Sequence, residues 1–146
     1  MFLDDLLKLA DAQESTVSVA STSYIDTLAA GDSYEGAWMY VRVDTAFTAG
    51  AGEPHGKWSI ETSETTDFAG TTVLASSDTY LAAELTAGKE IKIRIPAGAR
   101  QYLRGYFTAR AGLYGETAIA DVDKFGSGKW DIFIVKDVDL GSQQLA

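Results

Sequence analysis

Hydrophobic and polar residues alternate in short runs along most of this chain, which is the pattern of β-strands with one buried face. Clusters of glycine, proline, serine and aspartate separate these runs at intervals of about 8 to 14 residues. The runs that predict strands are 15–20, 24–28, 37–43, 57–62, 71–77, 80–85, 91–95, 102–108, 118–122 and 130–138. The sequence therefore predicts an all-β fold, a jelly-roll-like antiparallel β-sandwich, with an immunoglobulin-like sandwich as the alternative.

The N-terminal segment differs from the rest of the chain, because its leucines and phenylalanine would cover more than half the circumference of a helix. It is predicted to form either a short helix or an extended arm. We expect it to pack on its own domain, and docking on a neighbouring subunit is the alternative. The predicted division is an arm or helix at 1–14, a single β-sandwich domain at 15–140 and a flexible tail at 141–146.

Two predicted strands on either side of a turn at Pro96 carry most of the positive charge of the chain. In the second of these strands, Tyr102, Arg104 and Tyr106 share one face, and the residues between them share the other. Six basic residues and one acid lie between positions 89 and 110, although the whole chain has a formal net charge of −9. The sequence thus predicts a basic ribbon within an acidic protein.

Composition narrows the class of partner. The negative net charge argues against nucleic-acid binding, because phosphate favours surfaces dense in lysine and arginine. The chain has no cysteine, which excludes disulfides and zinc–thiolate sites. No apolar run approaches the roughly 20 residues that span a bilayer, and no basic segment precedes the N-terminal leucines. We therefore expect no membrane partner, no secretory signal and a protein that is made and used without export.

Few residues suggest catalysis or metal binding. His55 is the single histidine, and it has no thiol or second histidine as a sequence partner. The segment 126–129, Gly-Ser-Gly-Lys, lacks the glycine spacing and the following Ser or Thr of a phosphate loop. A calcium-loop-like start at 121–126 has Phe125 and Ile132 where oxygen ligands are needed. The prediction is no catalytic residue, no metal and no cofactor, and hence no enzyme.

Aromatic residues and arginine on a common strand face are typical of protein interfaces. Alternatively, Tyr102 and Tyr106 fill the sandwich and Arg104 pairs with a local acid; the sequence leaves both interpretations open. Three tryptophans that look exposed favour a second hypothesis, a carbohydrate-binding jelly-roll module on which sugars stack. They are Trp38, Trp58 and Trp130. A hydrolase built on a β-sandwich is the third hypothesis.

Three stretches of the chain carry a resemblance to a known family. They are MFLDDLLKLADAQ at 1–13, YVRVDTAFT at 40–48, and IPAG at 95–98 followed by Arg100, Tyr102-Leu103-Arg104 and Tyr106-Phe107-Thr108. Together they resemble the small capsid-stabilising proteins of tailed bacteriophages, also called cement or decoration proteins, whose known members are jelly rolls. Two positions depart from the expected pattern: Gln101 separates Arg100 from Tyr102, and Gly105 stands where a larger residue is expected.

This resemblance implies a non-enzymatic structural role in a virion. The protein would be made in the host cytoplasm, bind the outer capsid surface, bridge neighbouring major capsid proteins and form a homo-oligomer, a dimer or trimer, over a symmetry axis. Combined with the pattern of aromatic residues and arginine, it predicts a set of partner-binding residues. They are Phe2, Leu3, Leu6, Leu7, Tyr40, Arg42, Arg100, Tyr102, Arg104 and Tyr106.

Overall fold

The computed structural model describes residues 8–14, 16–26, 37–110 and 124–135. Within these ranges the chain forms ten strands and one turn of 3₁₀ helix. The strands are β1 Lys8–Glu14, β2 Val19–Ala20, β3 Ile25–Asp26, β4 Trp38–Ala51, β5 His55–Ser63, β6 Thr72–Ser76, β7 Tyr80–Leu81, β8 Glu90–Arg94, β9 Tyr102–Arg110 and β10 Lys124–Val135, and the 3₁₀ turn is Ala82–Glu84.

The strands form two antiparallel sheets that pack face to face. The first sheet has the order β1-β10-β4-β8, and the second has the order β2-β9-β5-β6, with β3 beside β9 and β7 beside β5. The chain changes sheet between β1 and β2, between β3 and β4, between β4 and β5, on both sides of β8, and between β9 and β10. With β2 and β3 counted as one interrupted strand, this order is that of a jelly roll. The all-β sandwich predicted from the sequence is confirmed.

The core lies between the sheets and is aromatic near its centre. Phe47, Trp58, Phe107, Phe125 and Trp130 contact one another with ring centroids 4.9 to 6.1 Å apart, in edge-to-face or tilted arrangements. Such arrangements match the positive edge of one ring to the negative face of the next. These five side chains come from four strands of both sheets, so they join the two layers.

Strand β4 follows the alternation predicted for it. Met39, Val41 and Val43 point into the core and are at most 1% exposed, whereas Trp38 and Tyr40 point away from it. The strand lies between β10 and β8, which agrees with the expectation that bulky residues on both faces mark a central strand. Its outward side chains are therefore displayed in the middle of the first sheet.

The N-terminal segment is extended where the structure describes it. Lys8–Glu14 is strand β1 at the edge of the first sheet, so the helical alternative does not form over these residues. Leu9 and Ala10 are buried because the strand turns them into the core, and Lys8 pairs with Phe133 of β10. Residues 1–7, the predicted strand at 118–122 and the predicted tail at 141–146 lie outside the described residues.

Gly126, Ser127 and Gly128, which separate the predicted strands 118–122 and 130–138 and so indicate a turn, do not form one. These residues belong to β10, and the register between β10 and β4 shifts around them, which marks β-bulges. A Cβ added at Gly128 would stand 2.6 Å from the ring of Phe47. Glycine is needed there because the core ring approaches the strand backbone, and not because the chain reverses.

The strands on either side of Pro96 do not pair with each other. β8 belongs to the first sheet and β9 to the second, because the segment between them crosses from one layer to the other. The basic ribbon of the sequence is therefore divided between two surfaces on opposite sides of the sandwich.

Candidate docking surfaces

The outer face of the first sheet places cations next to aromatic rings. β8 pairs Arg94 with Trp38 and Lys92 with Tyr40 of β4, and β10 places Phe133 beside Tyr40. Residues that stand directly opposite each other on neighbouring strands point to the same side of the sheet. We call this surface the first outer face, and it comprises Lys8, Trp38, Tyr40, Arg42, Glu90, Lys92, Arg94, Asp131 and Phe133.

Each cation of the first outer face lies over a ring. The Arg94 guanidinium is 5.4 Å from the centroid of the Trp38 ring, and the Lys92 ammonium is 5.3 Å from that of Tyr40. The ring of Phe133 has two cations near it, from Lys8 at 5.7 Å and from Arg42 at 5.8 Å. At exposed positions each such contact stabilises by about 0.5–1 kcal/mol, so the cations are held close to the sheet.

Lys92 and Arg94 differ from the other basic residues of this face in lacking a carboxylate partner. Both side chains are exposed, and in the described part of the chain neither forms an ion pair. By contrast, the Arg42 guanidinium is 2.9 Å from the Asp131 carboxylate. The positive charge of Lys92 and Arg94 is thus available to a group from another molecule.

Asp131 fixes the position of Arg42 and of the neighbouring strand. Its carboxylate is only 3% exposed; one oxygen accepts a hydrogen bond from Arg42 Nη2 at 2.9 Å, and the other accepts one from the backbone N–H of Ala12 at 2.5 Å. Ala12 has a φ of 48°, and it lies where the register of β1 against β10 shifts. One buried carboxylate therefore joins β1, β10 and β4 and supports a strained residue in a bulge.

The outer face of the second sheet is organised around Arg104. Its Nε donates a hydrogen bond to Glu61 Oε1 at 2.8 Å, and its guanidinium lies 4.3 Å from the Phe68 ring centroid and 5.6 Å from that of Tyr106. The side chains of Arg104 and Glu61 are 21% and 11% exposed. We call this surface the second outer face, and it comprises Lys57, Ser59, Glu61, Tyr102, Arg104, Tyr106 and Thr108.

The loop between β5 and β6 folds back over the second outer face. Phe68 has a φ of 53° and is 6% exposed, although it lies outside the sandwich core. Asp67 accepts hydrogen bonds from the Thr65 hydroxyl at 2.6 Å and from the Ala69 N–H at 3.0 Å. These bonds, that of Thr65 foremost, hold the pKa of the Asp67 carboxyl below its ordinary value of 3.8. The loop thereby keeps Phe68 against Arg104.

The family comparison matches most of this molecule. The family model described as Bbp16 covers residues 9–120, which include β1 to β9 and strands of both outer faces. The chain belongs to the Bbp16 family. The name of the Bbp16 family indicates a phage-related protein, in agreement with the phage context expected from the sequence. No curated protein matches the chain.

In this Bbp16-family chain the predicted partner-binding residues do not form one surface. Tyr40 and Arg42 lie on the first outer face, whereas Tyr102, Arg104 and Tyr106 lie on the second, across the sandwich. The side chain of Arg100 points towards the β5–β6 loop, where its guanidinium is 3.8 Å from Glu64. The apolar residues predicted at the N-terminus lie outside the described residues: Phe2, Leu3, Leu6 and Leu7.

The interior of the sandwich does not hold the tyrosines of β9. Tyr102 and Tyr106 are half-buried on the outer side of the sheet, and it is Leu103 and Phe107 that fill the core. Arg104, however, does pair with a local acid, Glu61. Of the second interpretation, the pairing of Arg104 with a local acid is therefore confirmed and the inward position of the two tyrosines is wrong. The interpretation of this face as a protein interface stays a prediction.

Three residues that were not among the predicted partner-binding residues belong to the first outer face beside Tyr40, namely Trp38, Lys92 and Arg94. The alternation of Lys92 and Arg94 with isoleucines shows that they share a face of β8. It does not show that β4 is the neighbouring strand, and only this pairing brings the cations over Trp38 and Tyr40. The missing information was the strand order.

The tryptophans do not form a sugar-stacking surface. Trp58 and Trp130 are 0% exposed and belong to the core, so the expectation that all three are exposed is wrong. Only Trp38 is partly exposed, and Arg94 lies over its ring. Trp58 and Trp130 are buried because they lie on the inward sides of β5 and β10, where large rings fill the space between the sheets.

His55 lies at the start of β5, just before the strand predicted at 57–62, and not in a loop; its Nδ1 is 3.0 Å from the carbonyl oxygen of Glu53. Within the described ranges, no three His, Asp or Glu side chains come together in a way that could hold a metal ion. The same ranges contain no helix that is long and apolar enough to cross a membrane.

Proposed function

We propose that this chain is a non-enzymatic structural protein of a phage virion, which binds the outer surface of the capsid, bridges neighbouring major capsid proteins and stabilises the shell. Its membership of the Bbp16 family supports the phage context. The observation that carries the docking role is the first outer face, where exposed Lys92 and Arg94 lie over aromatic rings and have no carboxylate partner among the residues that the structure describes. The arginines and aromatic rings of this surface are residue types that protein interfaces favour at their centres.

The construction of the sandwich supports this proposal. The backbone of a β-sheet is rigid and spaces its side chains regularly, so little backbone conformational entropy is lost when a partner binds to its face. A protein that contacts two capsid subunits at once also gains from effective concentration, and a dimer or trimer over a symmetry axis would increase this gain. The chain would be made in the host cytoplasm and act on the outside of the finished shell.

Carbohydrate binding has less support. Aromatic stacking on a sugar requires an open ring face, and Trp58 and Trp130 have none. The Trp38 ring has Arg94 over one side. No other observation favours a sugar ligand, and we do not propose a second function.

The test is co-sedimentation of the purified protein with empty shells of its phage that carry no copy of it. We expect binding that saturates at a fixed ratio to the major capsid protein and raises the temperature at which the shells fall apart. Shells that already carry their full complement serve as the control and should bind no more. If the protein stays in the supernatant with the bare shells at both low and moderate salt, the proposed function is wrong.

A further inference from the structure

We infer that the first outer face, and not the second, meets the shell, and that its partner is an acidic surface segment of the major capsid protein. This inference rests on the proposed function and deepens it, because it assigns the docking surface and the chemistry of the partner. The two faces differ in whether their central charged side chains have a partner of opposite charge within the described residues, and the inference rests on this difference.

On the first outer face, Lys92 and Arg94 carry positive charges that form no ion pair within the described residues. Lys92 and Arg94 are two residues apart on β8, so they project about 7 Å apart along the strand. The two side chains are exposed while they contact Tyr40 and Trp38, so an acceptor from another molecule can reach their N–H groups. A carboxylate that approaches from outside gains charge-assisted hydrogen bonds while the contact with the ring is retained.

The row that crosses the sheet adds an apolar centre. Lys8, Phe133, Tyr40 and Lys92 stand side by side on β1, β10, β4 and β8. Three interstrand spacings separate the two lysines, which is about 14 Å, and the rings of Phe133 and Tyr40 fill the space between them. The matching partner is a segment with carboxylates about 7 Å apart, as on alternate residues of an extended chain, beside an apolar side chain that contacts the rings.

At the centre of the second outer face, the charges of Arg104 and Glu61 already satisfy each other. Arg104 and Glu61 form a largely buried ion pair, and Phe68 covers the guanidinium. A partner that used Arg104 would have to displace Phe68 and separate the pair, which leaves a buried carboxylate without its cation. The interactions of Arg104 therefore stabilise the folded domain and do not offer a site for a partner.

The first experiment compares charge reversals on the two faces. Lys57→Glu is the matched control, since Lys57 is a partly exposed lysine of the second outer face that forms no ion pair in the described part of the chain. We expect K92E and R94E each to weaken shell binding about tenfold or more, and K57E to bind as wild type. The affinity of the K92E/R94E double variant should also depend less on salt than that of the wild type. Circular dichroism and thermal unfolding check that each variant is folded.

The second experiment maps the covered face directly. Because the chain has no cysteine, a single thiol can be introduced and labelled with a maleimide. Glu90→Cys places a thiol on the exposed end of β8 without removing a cation, and Lys57→Cys places one on the other face. With shell thiols blocked beforehand, binding to shells should slow the labelling of E90C about tenfold or more, as expected for a site covered by a partner. The labelling of K57C should not change.

The outcomes separate the two proposals. If wild-type protein does not bind bare shells, the proposed function fails, and this inference fails with it. If wild-type protein binds but K92E and R94E bind equally well, or K57C is the protected site, the inference is wrong while the proposed function stands. If K92E and R94E change only the sedimentation of the free protein, the first outer face is an interface between copies of this chain, which also overturns the inference.

Discussion

Asp131→Ala should destabilise the domain by more than the loss of its ion pair with Arg42 alone. The carboxylate joins the backbone of β1 to Arg42 of β4 while belonging to β10 itself. Removal of both oxygens leaves the Ala12 N–H without its acceptor in a bulge where Ala12 already has a positive φ. The edge strand β1 should therefore loosen first.

The magnitude follows from the two interactions. An unsatisfied, partly buried backbone N–H costs about 1–3 kcal/mol. Because the Arg42 side chain is 48% exposed, water screens its ion pair with Asp131, and this part is discounted to about 1 kcal/mol or less. The release of a buried carboxylate from desolvation offsets some of the loss. We expect a net decrease of about 2 kcal/mol in the free energy of unfolding.

Urea unfolding followed by fluorescence measures this change, because Trp58 and Trp130 are buried in the core. With a slope of about 2 kcal/mol per M, the midpoint should fall by about 1 M. Asp131→Asn retains one acceptor for the Ala12 N–H and should lie between D131A and wild type. Asp44→Ala, an exposed acid on β4, is the control and should change stability by less than about 0.5 kcal/mol.

Amide hydrogen exchange at Ala12 separates this mechanism from a general loss of stability. In D131A the Ala12 amide should exchange faster than the amides of β4, whereas global destabilisation alone would affect both strands. If D131A unfolds at the same urea concentration as D44A, or if exchange at Ala12 is unchanged, the role assigned to Asp131 is wrong.

Two further predictions concern Gly128 and Asp67. Gly128→Ala should lower the free energy of unfolding by about 1–3 kcal/mol in thermal or urea unfolding, because its Cβ would stand 2.6 Å from the rigid Phe47 ring. Gly70→Ala is the control and should be nearly neutral, because a Cβ at Gly70 meets open space. Equal effects of the two substitutions would contradict the packing argument. Asp67 has a lowered pKa in the folded state, so its contribution to stability is present above its ordinary value of 3.8 and is lost as the pH falls through the lower folded value. The stability difference between wild type and Asp67→Asn should therefore shrink as the pH is lowered below 3.8, and a difference that grows instead would refute this assignment.

The alternation of the sequence was sufficient to predict most strands, because one face of each packs into a common core. β4, β5, β8 and β9 lie where alternating residues place them. The N-terminal segment was ambiguous for a physical reason: a short, strongly apolar run fits a buried strand as well as a helix, and Leu9 reaches the core as part of a strand. Glycine in β10 likewise has two meanings, a turn or a close approach of a core side chain.

What the sequence could not provide is the relation between distant segments. Alternation places Glu61 on the solvent side of β5, yet Arg104 and Phe68 cover it from a strand and a loop far along the chain. Gly105, where the resemblance led us to expect a larger residue, leaves the space that Ile132 of β10 occupies, since a Cβ there would stand 2.6 Å from the Ile132 Cδ1. The first outer face depends in the same way on β8 lying beside β4.

The place of β10 in the first sheet also determines when the domain can form during synthesis. β10 is the last described strand along the chain, but it lies between β1 and β4, and Lys8 pairs with Phe133. The described strands of the second sheet are all synthesised before β10, so they can pair with one another first. β1 and β4 cannot complete the first sheet until β10, which lies between them, has been synthesised. Completion of the sandwich is therefore a late folding step of high contact order, and until then the edges of β1 and β4 that pair with β10 have no partner strand.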